Sequence, residues 1–233
     1  MSILEQTAAF FGSSANWHGD RGIPASVGAH LGYCLLSFAI AAVIAVPVGL
    51  YIGHTGRGAL LAVNIGNVGR ALPTIGLLTL VVLATGGGVL PVAICLALLA
   101  VPPLLTATYT GVRQVDPDVV DAARGMGMTE REILTGVEIP NAMPTVFSGV
   151  RSAALQLVST ATVAAFVGMG GLGRYILDGP PQQDYGKMAA GALLVALLAL
   201  AVDLALAGLA RVTLSPPLRA RSRTSSAKAG TSA

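Results

Sequence analysis

Five long apolar runs constrain this chain more than any other feature of its sequence. A helix that crosses a hydrocarbon core of about 30 Å needs about 20 mostly apolar residues, and each run holds 23 to 27 residues. The runs are residues 30–53, 58–84, 89–112, 146–168 and 189–213. Only 11% of the chain is charged, against roughly a quarter in an ordinary soluble domain. We therefore predict an all-α polytopic membrane protein with five transmembrane helices.

The basic residues predict how these helices are oriented. If the 113–145 connection is cytoplasmic, ten Lys and Arg residues lie inside and three outside, the bias that the positive-inside rule expects. The inside set is Arg57, Arg113, Arg124, Arg131, Arg151, Arg211, Arg219, Arg221, Arg223 and Lys228, and the outside set is Arg21, Arg174 and Lys187. The N-terminus is then outside and the C-terminus cytoplasmic. Topology therefore accounts for the net charge of +3, and nucleic-acid binding is not indicated.

Two terminal segments flank the predicted transmembrane domain, residues 28–213. Residues 1–27 carry Glu5 where a signal peptide is basic. Ile3, Leu4, Ala8 and Phe11 have helical spacing, so a short helix on the outer surface and a frayed terminus both stay open. Residues 214–233 are basic and rich in Ser and Ala, which predicts a disordered cytoplasmic tail.

The connection at residues 113–145 is unusually long and carries helix signals of its own. Asp116 can cap a helix that starts at Pro117, where the missing N–H costs nothing. Gly125 is the predicted end of this helix, and Gly127 is part of a pliable break behind it.

A second helix is predicted after this break. Thr129 and Glu132 have the spacing of a capping box, and the apolar side behind them consists of Ile133, Leu134 and Val137. We expect Ile139-Pro140 and Met143-Pro144 to end the helix and lead back into the membrane. A partner-binding segment and a structured loop without a partner both stay open on these signals.

The same segment resembles the EAA loop of binding-protein-dependent ABC importer permeases of type I. Asp121 occupies the position of the family's usual Glu. Ala122, Ala123 and Gly127 match the family's following positions, and Pro140 precedes the final Pro144 where the family often has Leu-Pro. In that family the loop is a coupling helix that docks into the ATPase subunit, with the glycine as hinge. The resemblance therefore assigns ATPase coupling to Asp121, Ala122, Ala123, Arg124, Gly127, Ile139, Pro140 and Pro144.

Among these permeases the chain is most similar to those for osmoprotectants, from about residue 28 to residue 210. The stretches that carry the similarity are residues 71–74, 115–117, 121–129, 160–162, 164–168 and 170–173. Such systems import glycine betaine, choline, carnitine or proline betaine across the bacterial plasma membrane. A permease for amino acids or methionine is the alternative. A secondary transporter, a channel or a purely structural membrane protein would leave the long loop unexplained.

The resemblance implies a set of partners. They are two ATPase subunits, an extracytoplasmic solute-binding protein, the lipid bilayer and a second permease that is a copy or, as we favour, a paralogue. No Walker phosphate loop is present, because Gly186-Lys187 is followed by Met188. We therefore expect no enzyme activity and no cofactor in this chain, with ATP used by the partner. Cys34 and Cys95 have no metal-ligand spacing, so no metal site is predicted.

Polar residues inside the spans are candidates for the translocation path, because such groups are costly in lipid. Arg70 and Asp203 have matching depths, and we expect them to pair, with helix packing favoured over solute contact as the role. The other candidates are Asn67, Gln156, Ser159, Thr160 and Thr162, with Asn64 weaker. Helix–helix adhesion is the alternative for these groups.

Four glycines after the fourth span form a last candidate site. Gly168, Gly170, Gly171 and Gly173 fit the spacing of a dinucleotide fingerprint, but no strand precedes them and no βαβ unit surrounds them. We interpret the segment as a flexible outer-face turn, part of the gate or of the contact with the binding protein.

Overall fold

The computed structural model describes residues 2–60, 62, 64 and 73–213, and every regular element in this part of the chain is a helix. The α-helices are α1 (Ile3–Gly12), α2 (Ile23–Thr55), α3 (Thr74–Thr85), α4 (Val89–Arg113), α5 (Pro117–Gly125), α6 (Glu130–Ile133), α7 (Ile139–Thr160), α8 (Gly173–Asp178) and α9 (Tyr185–Thr213). A π-helical turn, Leu134–Glu138, joins α6 to α7. Short 3₁₀ turns cover Ser14–Trp17, Ala161–Val167 and Pro180–Gln182. The prediction of an all-α chain is confirmed.

Four helical segments in the described residues are long and apolar enough to cross a bilayer. They are α2, α4, the continuous segment Glu130–Val167 and α9, and they coincide with four of the five predicted spans. The remaining predicted span, residues 58–84, lies partly outside the described residues. Its described part contains α3, whose 12 residues are fewer than a bilayer crossing requires.

The segment Glu130–Val167 corrects the prediction that Ile139-Pro140 and Met143-Pro144 end a helix. Helix α7 passes through both prolines without a break. The preceding π-helical turn widens the helix where Pro140 interrupts the hydrogen-bond ladder, and the Asn141 side-chain amide donates to the Val137 carbonyl at 2.8 Å. The second helix of the loop and the following span are therefore one element.

The described residues form two compact units, of which the first comprises residues 2–41, 73–100 and 154–203. Helix α1 packs in this unit through Phe10, which meets Tyr175 edge-on with ring centroids 5.5 Å apart. Its buried cluster consists of Phe10, Ile23, Leu172, Tyr175 and Ala190. Of the two interpretations of the N-terminus, the helix is the one observed, with a capping box of Ser2 and Glu5. Ile3 and Leu4 are exposed, so the apolar face that packs differs from the predicted one.

The second unit comprises residues 42–60, 62, 64, 101–153 and 204–213. Its helices approach closely where residues are small. A Cβ on Gly53 of α2 would lie 2.6 Å from Val112 Cβ of α4, and a Cβ on Gly149 of α7 would lie 2.1 Å from Ala107 Cβ. Small residues of this kind let helices pack at short range in membrane proteins. The packing brings the last turn of α2 and the end of α4 beside the loop that carries α5 and α6.

Candidate functional site

The first helix of the loop, α5, begins as its sequence predicts. The Asp116 carboxylate accepts a hydrogen bond from the Asp118 N–H at 3.1 Å, and Pro117 occupies the first helical position. Asp118 in the first turn and Arg124 in the last turn both complement the helix dipole. The prediction of this capped helix is confirmed.

Helix α5 ends at Gly125, as predicted, but the glycine that turns the chain behind it is Gly127. Gly125 is the last helical residue, and Gly127 adopts the left-handed conformation with φ of +84°. The Gly127 N–H donates to the Arg124 carbonyl at 2.9 Å, and the Met128 N–H donates to the Ala123 carbonyl at 3.2 Å. These two bonds form a Schellman motif, for which glycine is favoured because it has no Cβ. The corner therefore depends on Gly127 and not on Gly125.

Helix α6 begins with the predicted capping box. The Glu132 carboxylate accepts from the Thr129 N–H at 2.8 Å, and the Thr129 hydroxyl accepts from the Glu132 N–H at 3.4 Å. Two N–H groups that lack helical partners are thereby satisfied at the point where the chain leaves the corner.

The two loop helices share a small hydrophobic core. Val115, Val120, Ala123 and Ile133 are buried in it, and Met128 and Val137 pack against its edge. Ala123 is only 2% exposed, so its small side chain permits the packing of α5 on α6 and does not face a partner. Ala122 and Asp121 are exposed. The expectation that both alanines admit a partner is therefore corrected for Ala123.

An exposed charge cluster joins the two loop helices across the corner. Arg124 donates from Nε to Glu130 Oε1 at 3.0 Å and from Nη2 to Glu130 Oε2 at 3.2 Å. Its Nη1 donates to Asp121 Oδ1, also at 3.2 Å. The bidentate hydrogen bond to Glu130 is the main reason why the pKa of Arg124 is raised. Sequence reasoning found Arg124 and Asp121 but missed Glu130, because the contact spans the corner and has no helical spacing.

A second group of charges lies where the last turn of α2 meets the loop. His54 Nδ1 is 2.6 Å from Glu138 Oε2, and His54 Nε2 is 3.3 Å from Glu130 Oε2. Glu138 belongs to the π-helical turn and its side chain is only 7% exposed. Sequence reasoning missed His54 and Glu138. The one available signal was a charged residue directly before Ile139-Pro140 in an otherwise apolar stretch.

A cleft of about 410 Å³ opens between the end of α2, the end of α4 and helix α5. Its charged lining residues are His54, Arg113, Asp121, Arg124 and Glu138. The loop thus presents an exposed helix on a buried core, with a polar cleft behind it. This arrangement holds a short helix rigidly on the body of its unit while leaving its outer face uncovered.

The predicted path residues of α7 mostly bond to their own helix. The hydroxyls of Ser159 and Thr162 donate to the carbonyls of Leu155 and Ser159 at 3.0 and 2.7 Å, and the Thr160 hydroxyl donates to the Gln156 carbonyl. The Gln156 amide donates to the Leu99 carbonyl of α4 at 3.3 Å. Gln156 and Ser159 remain exposed. The Gln156 bond has the form of helix–helix adhesion, which was the alternative role for these residues.

The structure says less about the remaining path candidates, which are Asn64, Asn67, Arg70 and Asp203. Asn67 and Arg70 lie outside the described residues, and so does the predicted pairing of Arg70 with Asp203. Asn64 is exposed, and Asp203 is half-buried in α9. These residues therefore stay predictions.

The four predicted gate glycines divide into two kinds. Gly168 and Gly170 are exposed, whereas Gly171 and Gly173 are buried. A Cβ on Gly173 would lie 2.1 Å from the Thr162 carbonyl oxygen, and a Cβ on Gly171 would lie 3.3 Å from His30 Nδ1. The interpretation of a loose outer turn therefore suits the first pair and not the second, which is closely packed.

Residues 45–213 match the family model of the binding-protein-dependent transport system inner membrane component. The chain belongs to this family. The permease is 33% identical over 180 residues to the glycine betaine/carnitine/choline transport system permease protein of Bacillus subtilis (strain 168), an alignment that covers 77% of this chain and 83% of that protein. It is also 33% identical over 177 residues to a carnitine transport permease protein of Listeria monocytogenes, covering 76% and 81% of the two chains.

The permease also shares its fold with a solved structure. An inward facing conformation of the MetNI methionine ABC transporter matches it with a TM-score of 0.70 at 24% identity, over 80% of this chain and 94% of that chain. The predicted type I ABC importer permease fold is therefore confirmed. The permease is a multi-pass inner membrane protein and a transport component, and its family implies ATPase and substrate-binding partners.

Proposed function

We propose that this permease forms the membrane path for compatible solutes such as glycine betaine, choline, carnitine or proline betaine, and that a separate ATPase drives it. The observation that carries the choice of solute is the 33% identity, over three quarters of the chain, to permeases named for glycine betaine, carnitine and choline. The likeness to the methionine transporter, at 24% identity, supports the fold alone.

The exposed face of α5 is the proposed ATPase contact. Asp121, Ala122 and Arg124 lie on this face, and Met126 beside the corner is 76% exposed. Because α5 packs on a small core of its own, a force on its exposed face can move the helix without unfolding it. Gly127 is the proposed hinge. The continuous helical segment Glu130–Val167, which leads from the corner into the membrane, contains Ile139, Pro140 and Pro144.

Several further elements belong to the same proposal. Two ATPase subunits and a second permease, a copy or more plausibly a paralogue, complete an alternating-access importer, and a loaded binding protein docks on the outer side. The basic residues support a cytoplasmic α5 and C-terminus and an outer N-terminus. Gln156, Ser159, Thr160 and Thr162 line the proposed path together with Asn67, Arg70 and Asp203. The proposed outer gate includes Gly168, Gly170, Gly171 and Gly173.

Growth under osmotic stress tests the choice of solute. Deleting the gene should abolish the rescue of growth by external glycine betaine or carnitine at high osmolarity, and the intact gene should restore it. A methionine auxotroph grown on low methionine serves as the comparison. Loss of methionine uptake with betaine rescue intact would favour the alternative cargo.

Cysteine labelling tests the orientation. In a background without Cys34 and Cys95, a cysteine at Met126 should react with a membrane-impermeant thiol reagent only in inside-out vesicles. Adding the ATPase subunit should protect it. Labelling from the outside would reverse the proposed topology, and labelling that the ATPase leaves unchanged would remove α5 from the contact.

A further inference from the structure

His54 occupies an unusual position at the end of a membrane-spanning helix. It lies in the last turn of α2, and its side chain is 14% exposed. Each of its ring nitrogens faces a carboxylate oxygen, Glu138 Oε2 at 2.6 Å from Nδ1 and Glu130 Oε2 at 3.3 Å from Nε2. An ionised carboxylate only accepts hydrogen bonds, and a neutral imidazole has a single N–H. His54 can therefore donate to both carboxylates only when both ring nitrogens carry a proton.

The contact with His54 matters most for Glu138, whose carboxylate is buried. A carboxylate that is only 7% exposed needs a cation or several donors to offset its lost hydration. The short contact with His54 supplies a donor, which is a charged one when the ring is doubly protonated. Because Glu138 sits in the π-helical turn directly before α7, this ion pair fixes the helix that leads into the membrane to the end of α2.

Glu130 connects the same histidine to the exposed face of α5. It accepts both Nε and Nη2 of Arg124, and Arg124 in turn reaches Asp121. The chain of contacts thus runs from Glu138 through His54, Glu130 and Arg124 to the proposed ATPase contact. The remaining charged group of the adjoining cleft is Arg113 of α4. A displacement of α5 must lengthen one of these contacts or carry the end of α2 with it.

We propose that His54, as an imidazolium, is a positioning residue that links α2 to the coupling loop and so passes the movement of α5 to the transmembrane helices. This inference rests on the proposed function. It adds to that function a residue outside the loop and a requirement for a proton. If one ring nitrogen lacks its proton, one of the two carboxylate contacts is lost and the link weakens.

Replacement of His54 separates transmission from folding. In proteoliposomes with the ATPase and the binding protein, His54→Gln should lower the number of solute molecules imported per ATP hydrolysed by roughly fivefold or more, while the ATPase still binds. His54→Lys, which keeps the positive charge, should recover most of that ratio. His18→Gln is the matched control, because His18 is exposed near the N-terminus and bonds only locally, from Nδ1 to the Ser14 carbonyl.

The pH profile is a readout that a merely structural role would not move. When the pH on the loop side is raised from about 6 to about 9, the import ratio of the wild type should fall. The ratio of His54→Lys should stay flat over the same range. An unchanged ratio in His54→Gln, or parallel profiles of the wild type and His54→Lys, would overturn the proposal.

A spectroscopic measurement tests the proposal without transport. Nitrogen-15 NMR of histidine-labelled permease, with the His54 signals identified by their absence in His54→Gln, should show both ring nitrogens protonated near neutral pH, and Glu138→Gln should remove that signature. A neutral imidazole in the wild type would contradict the inference. If the wild type imports none of the solutes, the proposed function fails, and the NMR result still decides the state of His54.

Discussion

The permease has two glycine-rich turns, at residues 125–127 in the loop between α4 and α7 and at residues 168–173 leading into α8, and Gly127 and Gly173 serve different purposes in them. At Gly127 the backbone is left-handed, with φ of +84°, and a Cβ would meet nothing within 4 Å. At Gly173 a Cβ would lie 2.1 Å from the Thr162 carbonyl oxygen. The first glycine is required by backbone conformation and the second by lack of space.

This difference bears on which turn is suited to movement. Open space around Gly127 means that its own backbone can rotate without striking a neighbour, while α5 stays packed on α6 through Ala123 and Ile133. Gly171 and Gly173 are buried against His30 and the Thr162 backbone, so a change in their turn must displace α2 or the 3₁₀ turn Ala161–Val167. The corner at Gly127 therefore suits a hinge, whereas the turn at residues 171–173 suits a fixed joint between packed segments.

Gly173→Ala should produce the largest loss of stability. The added Cβ would strike a main-chain carbonyl that cannot rotate away, and overpacking costs about 1 to 3 kcal/mol, with larger values where the backbone must shift. Thermal unfolding of the purified permease measures the effect. Gly170→Ala is the matched control, because its Cβ would meet only the Tyr33 hydroxyl at 3.7 Å. Equal melting temperatures for the two variants would show that the turn is looser than the packing implies.

Ile133→Ala should give the next largest effect. Ile133 is fully buried in the small core between α5 and α6, and truncation of a buried isoleucine costs about 2 to 5 kcal/mol. Because the core is local, limited proteolysis should cut the loop before the transmembrane helices unfold. Val119→Ala, at an exposed position on α5, should leave the loop resistant. A loop equally resistant in both variants would mean that α5 does not depend on this core.

Gly127→Pro should have a smaller effect on stability but a complete effect on coupling. Proline cannot adopt a φ of +84° and removes the N–H that donates to the Arg124 carbonyl. Proline must leave this conformation and rearrange the corner, a local change that the spans should survive. ATP hydrolysis should then continue without import, whereas Gly125→Ala, in open helical space, should import normally. Intact import by Gly127→Pro would exclude the corner as the hinge.

Local rules predicted the parts of the loop that depend on neighbours in sequence. The Asp116 cap and the Thr129–Glu132 capping box each involve residues two or three positions apart, so their hydrogen bonds follow from spacing alone. Long apolar runs predicted four of the membrane helices in the same way. Cys34 and Cys95 are free and buried, as their positions within spans predict.

The features that escaped prediction depend on contacts between distant residues or on a balance of local forces. The contact of His54 with Glu138 joins residues 84 positions apart, and no periodicity reports such a pair. A proline normally interrupts a helix, but here a π-helical turn and the Asn141 side chain accommodate Pro140. The burial of Ala123 depends on how α5 folds back on α6, which the Gly127 corner decides.

Arg124→Gln should have the smallest effect on stability. Arg124, Asp121 and Glu130 are all well exposed, and exposed ion pairs contribute little to folding because water and salt screen them. Its melting temperature should therefore match the wild type, while binding of the ATPase subunit weakens and becomes less sensitive to salt. Arg131→Gln, an exposed arginine of α6, is the control with the same change of charge. If both variants weaken binding equally, the loop attracts the ATPase by its general charge, and the face of α5 does not specify the contact.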